Sequence, residues 1–340
     1  MANMPLRMFH KTIRTLLHAA GFSLLAYGSI AIAQSPDAVT SAVQQIIAQH
    51  HGKVAVYAHQ LNTGKTIAID AEVPLQTAST IKLAMLWTAM REIGLGRAAW
   101  DEKLTLQPGE GVGGSGVLHF FDTPLTVTLK DVATMMVIVS DNTATNMMID
   151  RFTTKKVDDN MTALGLDQTW LYKKVFKPAT GPMPADQKKF GLGKTTARQV
   201  GTVMEKIGRC DLNITGQPVV DPAKAQVACK AAIEMLRNQF YRDTIPRYLE
   251  TLDNTEAGSG IASKTGSLDA TRSDVAIVAA KSGPIVLAVY TYENADKGWS
   301  VDNEGEVTVA KIAKVIVSAW SPQGIDGKSL TPGLGLSVAK

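Results

Sequence analysis

Cysteine is nearly absent from this 340-residue chain; Cys210 and Cys229 are the only two, so at most one internal disulfide can form. Histidine is sparse as well. Beyond residue 33 only His50, His51, His59 and His119 remain, with no His-x-His or His-x-x-x-His spacing, so neither a metal site nor any other cofactor is expected. Excess charge is also lacking: of a formal net +4, three positive charges (Arg7, Lys11, Arg14) sit in the first 14 residues. The rest is close to neutral, which excludes the basic footprint of a nucleic-acid partner. After residue 33 no apolar run is long enough to cross a bilayer. No internal repeat is apparent.

What is present begins with an export signal. Arg7, Lys11 and Arg14 precede an apolar run from Leu16 to Ile32, and Ala31-Ile32-Ala33 supplies a small-x-small cleavage pattern. A membrane anchor is the competing reading. However, Gly21, Ser23, Gly28 and Ser29 interrupt a run already short for a span, and no cysteine follows the cleavage point to carry a lipid. Residues 1–33 are therefore read as a signal peptide cleaved near Ala33, leaving a periplasmic or secreted protein without a stable membrane anchor. In that compartment Cys210 and Cys229 can pair, with two free thiols as the alternative.

Ser35-Pro36 reads as a helix start and Gly52 as the stop after an apolar-periodic run from Val39 to Ile47. "KVAVYAHQ" and "KTIAIDA" alternate around Asn62-Thr63-Gly64, a hairpin signal. Helical patterns then dominate over Ile81–Ile93, Leu129–Ile138, Asn142–Phe152, Thr196–Ile207 and Ala223–Leu236, interrupted by a loop-like stretch from Lys173 to Gly193. "GIASKTG", "SDVAIVAAK" and "PIVLAVYTY" bring strands back, and a helix over Val307–Trp320 precedes a Gly/Pro/Ser-rich tail at 321–340 that is expected to fray. Strands in close succession joined by short turns make the sheet antiparallel. The expected fold is α/β (α+β). An α/β lobe at about 34–78 and 251–320 has the first and last helices on one sheet face, and an all-α lobe at about 79–250 is inserted, leaving a cleft for a small molecule.

Three short motifs carry chemistry. In "QTASTIKLAM", Ser79 and Lys82 stand three positions apart and so share a helix face. A serine hydroxyl attacks only when a base takes its proton, and a desolvated lysine can be that base. Ser-x-x-Lys alone is weak: a second copy, Ser337 to Lys340, ends the chain. Ser140-Asp141-Asn142 falls between two helical patterns, however, and Lys264-Thr265-Gly266 ends a strand. That set, in that order, is the pattern of penicillin-recognising serine enzymes.

The chain resembles class A β-lactamases, and "GSGVLHFF", "SDNTATNMMIDR", "LGLDQTWL", "TTARQVGTVM" and "KTGSLDATRSDVAIV" extend the likeness over most of residues 36 to 320. The resemblance implies a β-lactamase/transpeptidase-like fold with a five-stranded sheet, and a nucleophile, Ser79, at a helix N-terminus with Lys82 as base. Ser140 would relay a proton to the leaving nitrogen. Lys264, Thr265 and Ser267 would hold a substrate carboxylate, Gly266 completes that strand motif, and Asn142 would hold a side-chain amide. The backbone N–H groups of Ser79 and Ser267 would form the oxyanion hole. Asp141 reads as a local cap, Asn146 as a support for the cleft, and Arg272 as a further carboxylate partner.

One feature of the family is missing. Class A enzymes carry a glutamate in the loop after the S-D-N helix, which activates the deacylating water. Matching "TWLYKKVF" to that loop puts Val175 in its place, and no glutamate occurs between Glu110 and Glu205. Asp186 is the carboxylate well inside the loop; Asp158, Asp159 and Asp167 precede it and are expected to be solvated. The reading is an exported, monomeric serine hydrolase that opens β-lactams through an acyl-Ser79 intermediate with slow deacylation. The alternative is a D-Ala-D-Ala carboxypeptidase acting on peptidoglycan stem peptides. An acylated sensor protein is disfavoured, because no membrane-linked partner domain is visible.

Overall fold

The computed structural model describes residues 36–249 and 259–336; the signal-peptide assignment at 1–33 and the Ser337–Lys340 motif copy lie outside the described residues. The chain opens with α1 (Pro36–Ala48), β1 (Lys53–Gln60), β2 (Thr66–Ile69) and β3 (Leu75–Gln76). Then follow α2 (Lys82–Gly94), β4 (Lys103–Leu106), β5 (Leu125–Thr128), α3 (Leu129–Ile138), α4 (Asn142–Phe152) and α5 (Thr154–Ala163). Next come β6 (Trp170–Leu171), α6 (Gln187–Phe190), β7 (Gly193–Thr195), α7 (Ala197–Arg209) and α8 (Pro222–Arg237). The last elements are β8 (Ile261–Leu268), β9 (Thr271–Val278), β10 (Ile285–Tyr292) and α9 (Glu304–Trp320).

The main sheet has five strands in the order β2-β1-β10-β9-β8, with every neighbouring pair antiparallel. Its central strands are buried along their whole length, β9 at every residue and β10 at all but the last. Continuous burial means that both faces are covered, which explains why "DVAIVAA" and "IVLAVY" run apolar without alternating. α1 and α9 pack together on one face, as the pattern predicted. The other face is covered by α7, which packs on β1, β9 and β10 and comes from the 79–250 stretch that the sequence suggested was all insert. Gly201 makes that contact possible, because a Cβ there would sit 2.6 Å from the Tyr57 ring.

α2 is buried at all 13 positions and packs against α3, α4, α5, α7 and α8. A helix enclosed on every side has no freedom to shift, so whatever precedes it is held firmly. Side-chain caps define the ends of its neighbours: a capping box of Thr128 and Asp131 on α3, Asp141 on α4, Thr196 on α7, and Asp221 ahead of Pro222 on α8. Two short sheets, β3-β7-β6 and β4-β5, and the polar helix α5 were not visible in the sequence pattern. The tail also departs from expectation as far as Leu336. Ile325, Leu330 and Leu334 are buried, Ala280 and Ile325 form an antiparallel bridge, and the Gly333 N–H donates to the Gly208 carbonyl at 2.9 Å. Three apolar side chains give that segment a reason to pack that its Gly/Pro content obscured.

Cys210, at the C-terminal end of α7, and Cys229, within α8, form a disulfide between the two helices. Closing a loop of sequence separation 19 restricts the unfolded chain, a stabilisation of about 3 kcal/mol. The Cys210→Ser/Cys229→Ser double variant should therefore lose several degrees of Tm in thermal unfolding. An unchanged Tm would show that the α7–α8 packing alone sets the stability.

Candidate active site

The segment from β3 to α2 carries Ser79. Ala78 takes the left-handed conformation at φ 45°, which costs a residue with a Cβ of order 1–3 kcal/mol and persists only when its surroundings enforce it. The enforcement is visible on both sides. The Thr77 N–H donates to the Gly193 carbonyl at 3.1 Å, and the Thr80 hydroxyl donates to the Thr77 carbonyl at 2.7 Å and contacts the Tyr290 hydroxyl at 2.5 Å. One tight turn, Ala78–Ile81, then leads directly into α2. β8 lies against this turn because Gly266 lets it: a Cβ there would meet Ser273 Oγ at 2.8 Å and the Thr77 carbonyl oxygen at 3.0 Å. That contact brings the strand carrying Lys264, Thr265 and Ser267 alongside Ser79.

Ser140 sits in a second left-handed turn, at φ 54° between α3 and α4. Asp141 is fully buried and accepts three backbone N–H groups, from Ala144 at 2.8 Å, Val117 at 2.6 Å and Leu118 at 2.8 Å. It thus caps α4 and pins the 113–118 loop at once. Gly116 (φ 96°) must lack a side chain, since a Cβ would lie 2.2 Å from the Asp141 carboxylate.

These elements converge on one hydroxyl. Lys82 Nζ donates to Ser140 Oγ at 3.0 Å, to the Ser140 carbonyl at 2.7 Å and to Asn142 Oδ1 at 3.3 Å. From the other side Lys264 Nζ donates to the same Ser140 Oγ at 3.1 Å and to the Thr265 carbonyl at 2.9 Å. Both lysines are fully buried. Burial pushes Lys82 well below its usual range, and the nearby Lys264 charge adds to the effect while Asp141 opposes it. Burial lowers Lys264 to about 7, with Asp274 opposing. Asp274 is itself raised to about 6 by burial, although its Oδ2 accepts from the Thr244 hydroxyl at 2.7 Å. A lysine that is neutral at working pH has the lone pair a general base needs. The Ser79 hydroxyl makes no hydrogen bond among the described residues and opens onto the cleft.

Two cavities flank Ser79. One, of about 640 Å³, is lined by Ser79, Asn142, Lys173, Val175, Phe176 and Ser267 among others. The second, of about 630 Å³, includes Ser79, Ser140, Tyr241, Thr265, Trp299 and Glu306. Tyr241, Trp299 and Glu306 belong to no motif, and no local pattern marked them. Arg272 is not a free partner for a carboxylate in the cleft. Its guanidinium is buried, donates to the Leu268, Thr271 and Gly298 carbonyls, faces Glu306 at 3.3 Å and lies 4.5 Å from the centre of the Trp299 ring. It reaches the cleft through Trp299 and Glu306, which line the second cavity. Among the described residues no three His, Cys, Asp or Glu side chains stand together as a metal site.

Val175 lies where the missing carboxylate is expected. It is buried, its N–H donates to Asn146 Oδ1 at 2.8 Å, and Asn146 Nδ2 donates back to its carbonyl at 3.2 Å. Asn146 therefore supports the cleft by holding this loop. Asp186 does not substitute for the glutamate. Lys194 Nζ donates to one of its oxygens at 2.7 Å and the Tyr172 hydroxyl to the other at 3.0 Å, and the Lys194 contact holds its carboxyl below the usual range. Asp158 departs from the solvated reading: it is half-buried beside β6, accepts the Leu171 N–H at 2.7 Å, and is pushed up to about 7 by that burial.

A family model described as the Beta-lactamase enzyme family matches residues 38–320. Among solved structures the chain is similar to a beta-lactamase from Sphaerobacter thermophilus, with 25% identity and a TM-score of 0.69 over 84% of this chain and 98% of that one. It is similar to PBP-A at 22% identity, TM-score 0.65, over 83% and 95% of the two chains. A variant of the last common ancestor of Gram-negative class A beta-lactamases is similar at 19% identity, TM-score 0.67, over 83% and 98%. The last two likenesses speak for the fold alone. No curated protein matches the chain.

The buried Lys264 has a signature in stability. Between its folded value of about 7 and the unfolded 10.5 the unfolded chain binds more protons at this position, so its contribution to stability grows as pH rises through that window. Denaturant unfolding at pH 7 and pH 10 should show the wild type gaining a few kcal/mol relative to Lys264→Met. Parallel curves for the two proteins would mean that Lys264 keeps an ordinary pKa.

Proposed function

The chain belongs to the beta-lactamase enzyme family and is a serine beta-lactamase-type hydrolase; from that premise we propose that it is exported and opens β-lactam amides through an ester on Ser79. The observation that carries the reading is the Ser140 hydroxyl shared by Lys82 and Lys264. In its deprotonated form Lys82, which burial holds well below its usual range, takes the Ser79 proton as Oγ attacks the lactam carbonyl. The oxyanion is met by the N–H groups of Ser79 and Ser267. Ser140 passes a proton to the departing nitrogen and is resupplied from its lysine partners. Lys264, Thr265 and Ser267 hold the carboxylate next to that nitrogen, and Asn142 holds the acyl-side amide. Arg272 acts at one remove, bracing Trp299 at the wall of the cleft. The protein works as a monomer, with its cleft between the sheet lobe, whose second face α7 covers, and the remaining helices of the 79–250 stretch.

Deacylation is the slow step in this account. Val175 offers no proton acceptor, and Asp186 is occupied by Lys194 and Tyr172. Loss of a general base costs about 10²–10⁴-fold, so water clears the ester at least that much more slowly than a family member with a glutamate. The same feature favours the second reading, a D-Ala-D-Ala carboxypeptidase that uses the same three motifs on stem peptides.

Intact-mass spectrometry over time with penicillin G should show one equivalent of adduct formed quickly and lost slowly, mapping to the peptide that contains Ser79 and absent from Ser79→Ala. Val175→Glu should speed the loss, and Asp186→Asn should leave both phases unchanged. An adduct elsewhere, or rapid turnover without a burst, contradicts the mechanism. Faster release of D-Ala from a D-Ala-D-Ala peptide than hydrolysis of penicillin would establish the second reading.

A further inference from the structure

Among the described residues Lys173 is a loop cation without an ion-pair partner that lines the cavity beside Ser79; Lys177, Lys188 and Lys189 of the same loop are also without ion pairs but do not line it. Lys174 is ion-paired with Asp150, and Lys194 with Asp186, so both nearby carboxylates are engaged. Lys173 has no ion-pair or hydrogen-bond partner among the described residues. It is half-buried and lines the same cavity as Ser79, Asn142 and Val175. Its backbone is held on both sides: the Tyr172 N–H donates to the Leu192 carbonyl at 2.9 Å, and Val175 is clamped by Asn146. A lysine on a free loop would trail into water. This one is fixed at the wall of a cavity that opens beside the nucleophile.

The other charges lining that cavity are Lys174, paired with Asp150, and Asp269, at the exposed tip of the β8–β9 turn. Water and salt screen an exposed carboxylate strongly, whereas a half-buried ammonium acts through a poorer dielectric. Inside the cavity the field of Lys173 therefore outweighs that of Asp269. Asn142 marks this as the acyl side of the site, because it is the proposed holder of the acyl-side amide and lines this cavity and not the second one.

Resting on the acyl-Ser79 reading above, we infer that Lys173 is a specificity residue that binds a carboxylate carried on the acyl side chain of the substrate, so that anionic acyl groups are accepted in preference to neutral ones. Lys173 touches only the side chain and takes no part in bond making. Its effect is on binding and on the rate of Ser79 acylation, and it weakens as salt is added.

Carbenicillin and penicillin G make the test, since they differ by one carboxylate on the acyl side chain and share the ring carboxylate that Lys264 is proposed to hold. Lys173→Ala should slow Ser79 acylation by carbenicillin roughly five- to tenfold, as expected for a partly buried charge pair, and change penicillin G by less than about twofold. Lys173→Glu should deepen the selective loss. In the wild type, raising salt from 50 mM to 500 mM should slow carbenicillin more than penicillin G. Equal effects of either variant on the two compounds, or a wild-type salt response that is the same for both, would overturn the inference while leaving the acyl-enzyme reading intact. No Ser79 adduct with either compound would overturn both.

Discussion

Two buried ammonium groups cannot share one hydroxyl in their charged forms without a large penalty, and the site is built around that constraint. Ser140 Oγ receives Lys82 at 3.0 Å and Lys264 at 3.1 Å, both out of contact with solvent. Taking either charge out of water costs several kcal/mol, and their mutual repulsion adds to it. The system relaxes by giving up a proton. The Lys264 charge lowers Lys82 more than Asp141 raises it, while Asp274 raises Lys264, so Lys82 is the one proposed as the base. Everything else keeps those groups in place: an α2 enclosed on all sides, a β8 that approaches closely because residue 266 is glycine, and left-handed turns at Ala78 and Ser140 that the fold holds under strain.

In the proposed reading the residues that would form an acyl-enzyme are all present, and the glutamate that would help to clear it is not. Asn146 still clamps the loop opposite Ser79, but the residue it clamps is Val175. An apolar side chain there offers no proton acceptor, and Phe176 beside it lines the same cavity. The rest of the loop holds itself together with Asp186–Lys194 and Lys174–Asp150 pairs, so Asp186 is already engaged.

Much of this was legible in the sequence, for reasons tied to particular residues. α3 and α4 were placed at Leu129–Ile138 and Asn142–Phe152 because Thr128 and Asp141 are strong caps and the apolar spacing is clean. Antiparallel pairing followed from short turns between apolar runs, whereas the strand order is a tertiary fact. α5 was missed because only Val157, Asn160 and Met161 of its ten residues are buried, too few for a periodic signal. Asp158 was read as solvated because local sequence cannot show that β6 folds back over it. Arg272 was expected in the cleft, yet strand alternation turns it toward α9 and Trp299. Ser79, Lys82, Ser140 and Lys264 were visible as motifs, but the meeting of two lysines on one hydroxyl is a tertiary fact that spacing alone does not encode.

The account rests on two buried lysines meeting at Ser140, with Lys264 losing its proton near neutrality, and the pH dependence of Ser79 acylation tests that arrangement. The rate should fall above about 7 as Lys264 loses the charge that holds the substrate carboxylate. Asp274 raises Lys264, so Asp274→Asn, which keeps an oxygen for the Thr244 hydroxyl, should move the alkaline limb to lower pH. A profile that stays flat to pH 9, or an alkaline limb unmoved in Asp274→Asn, would contradict the arrangement of charges proposed around Ser140.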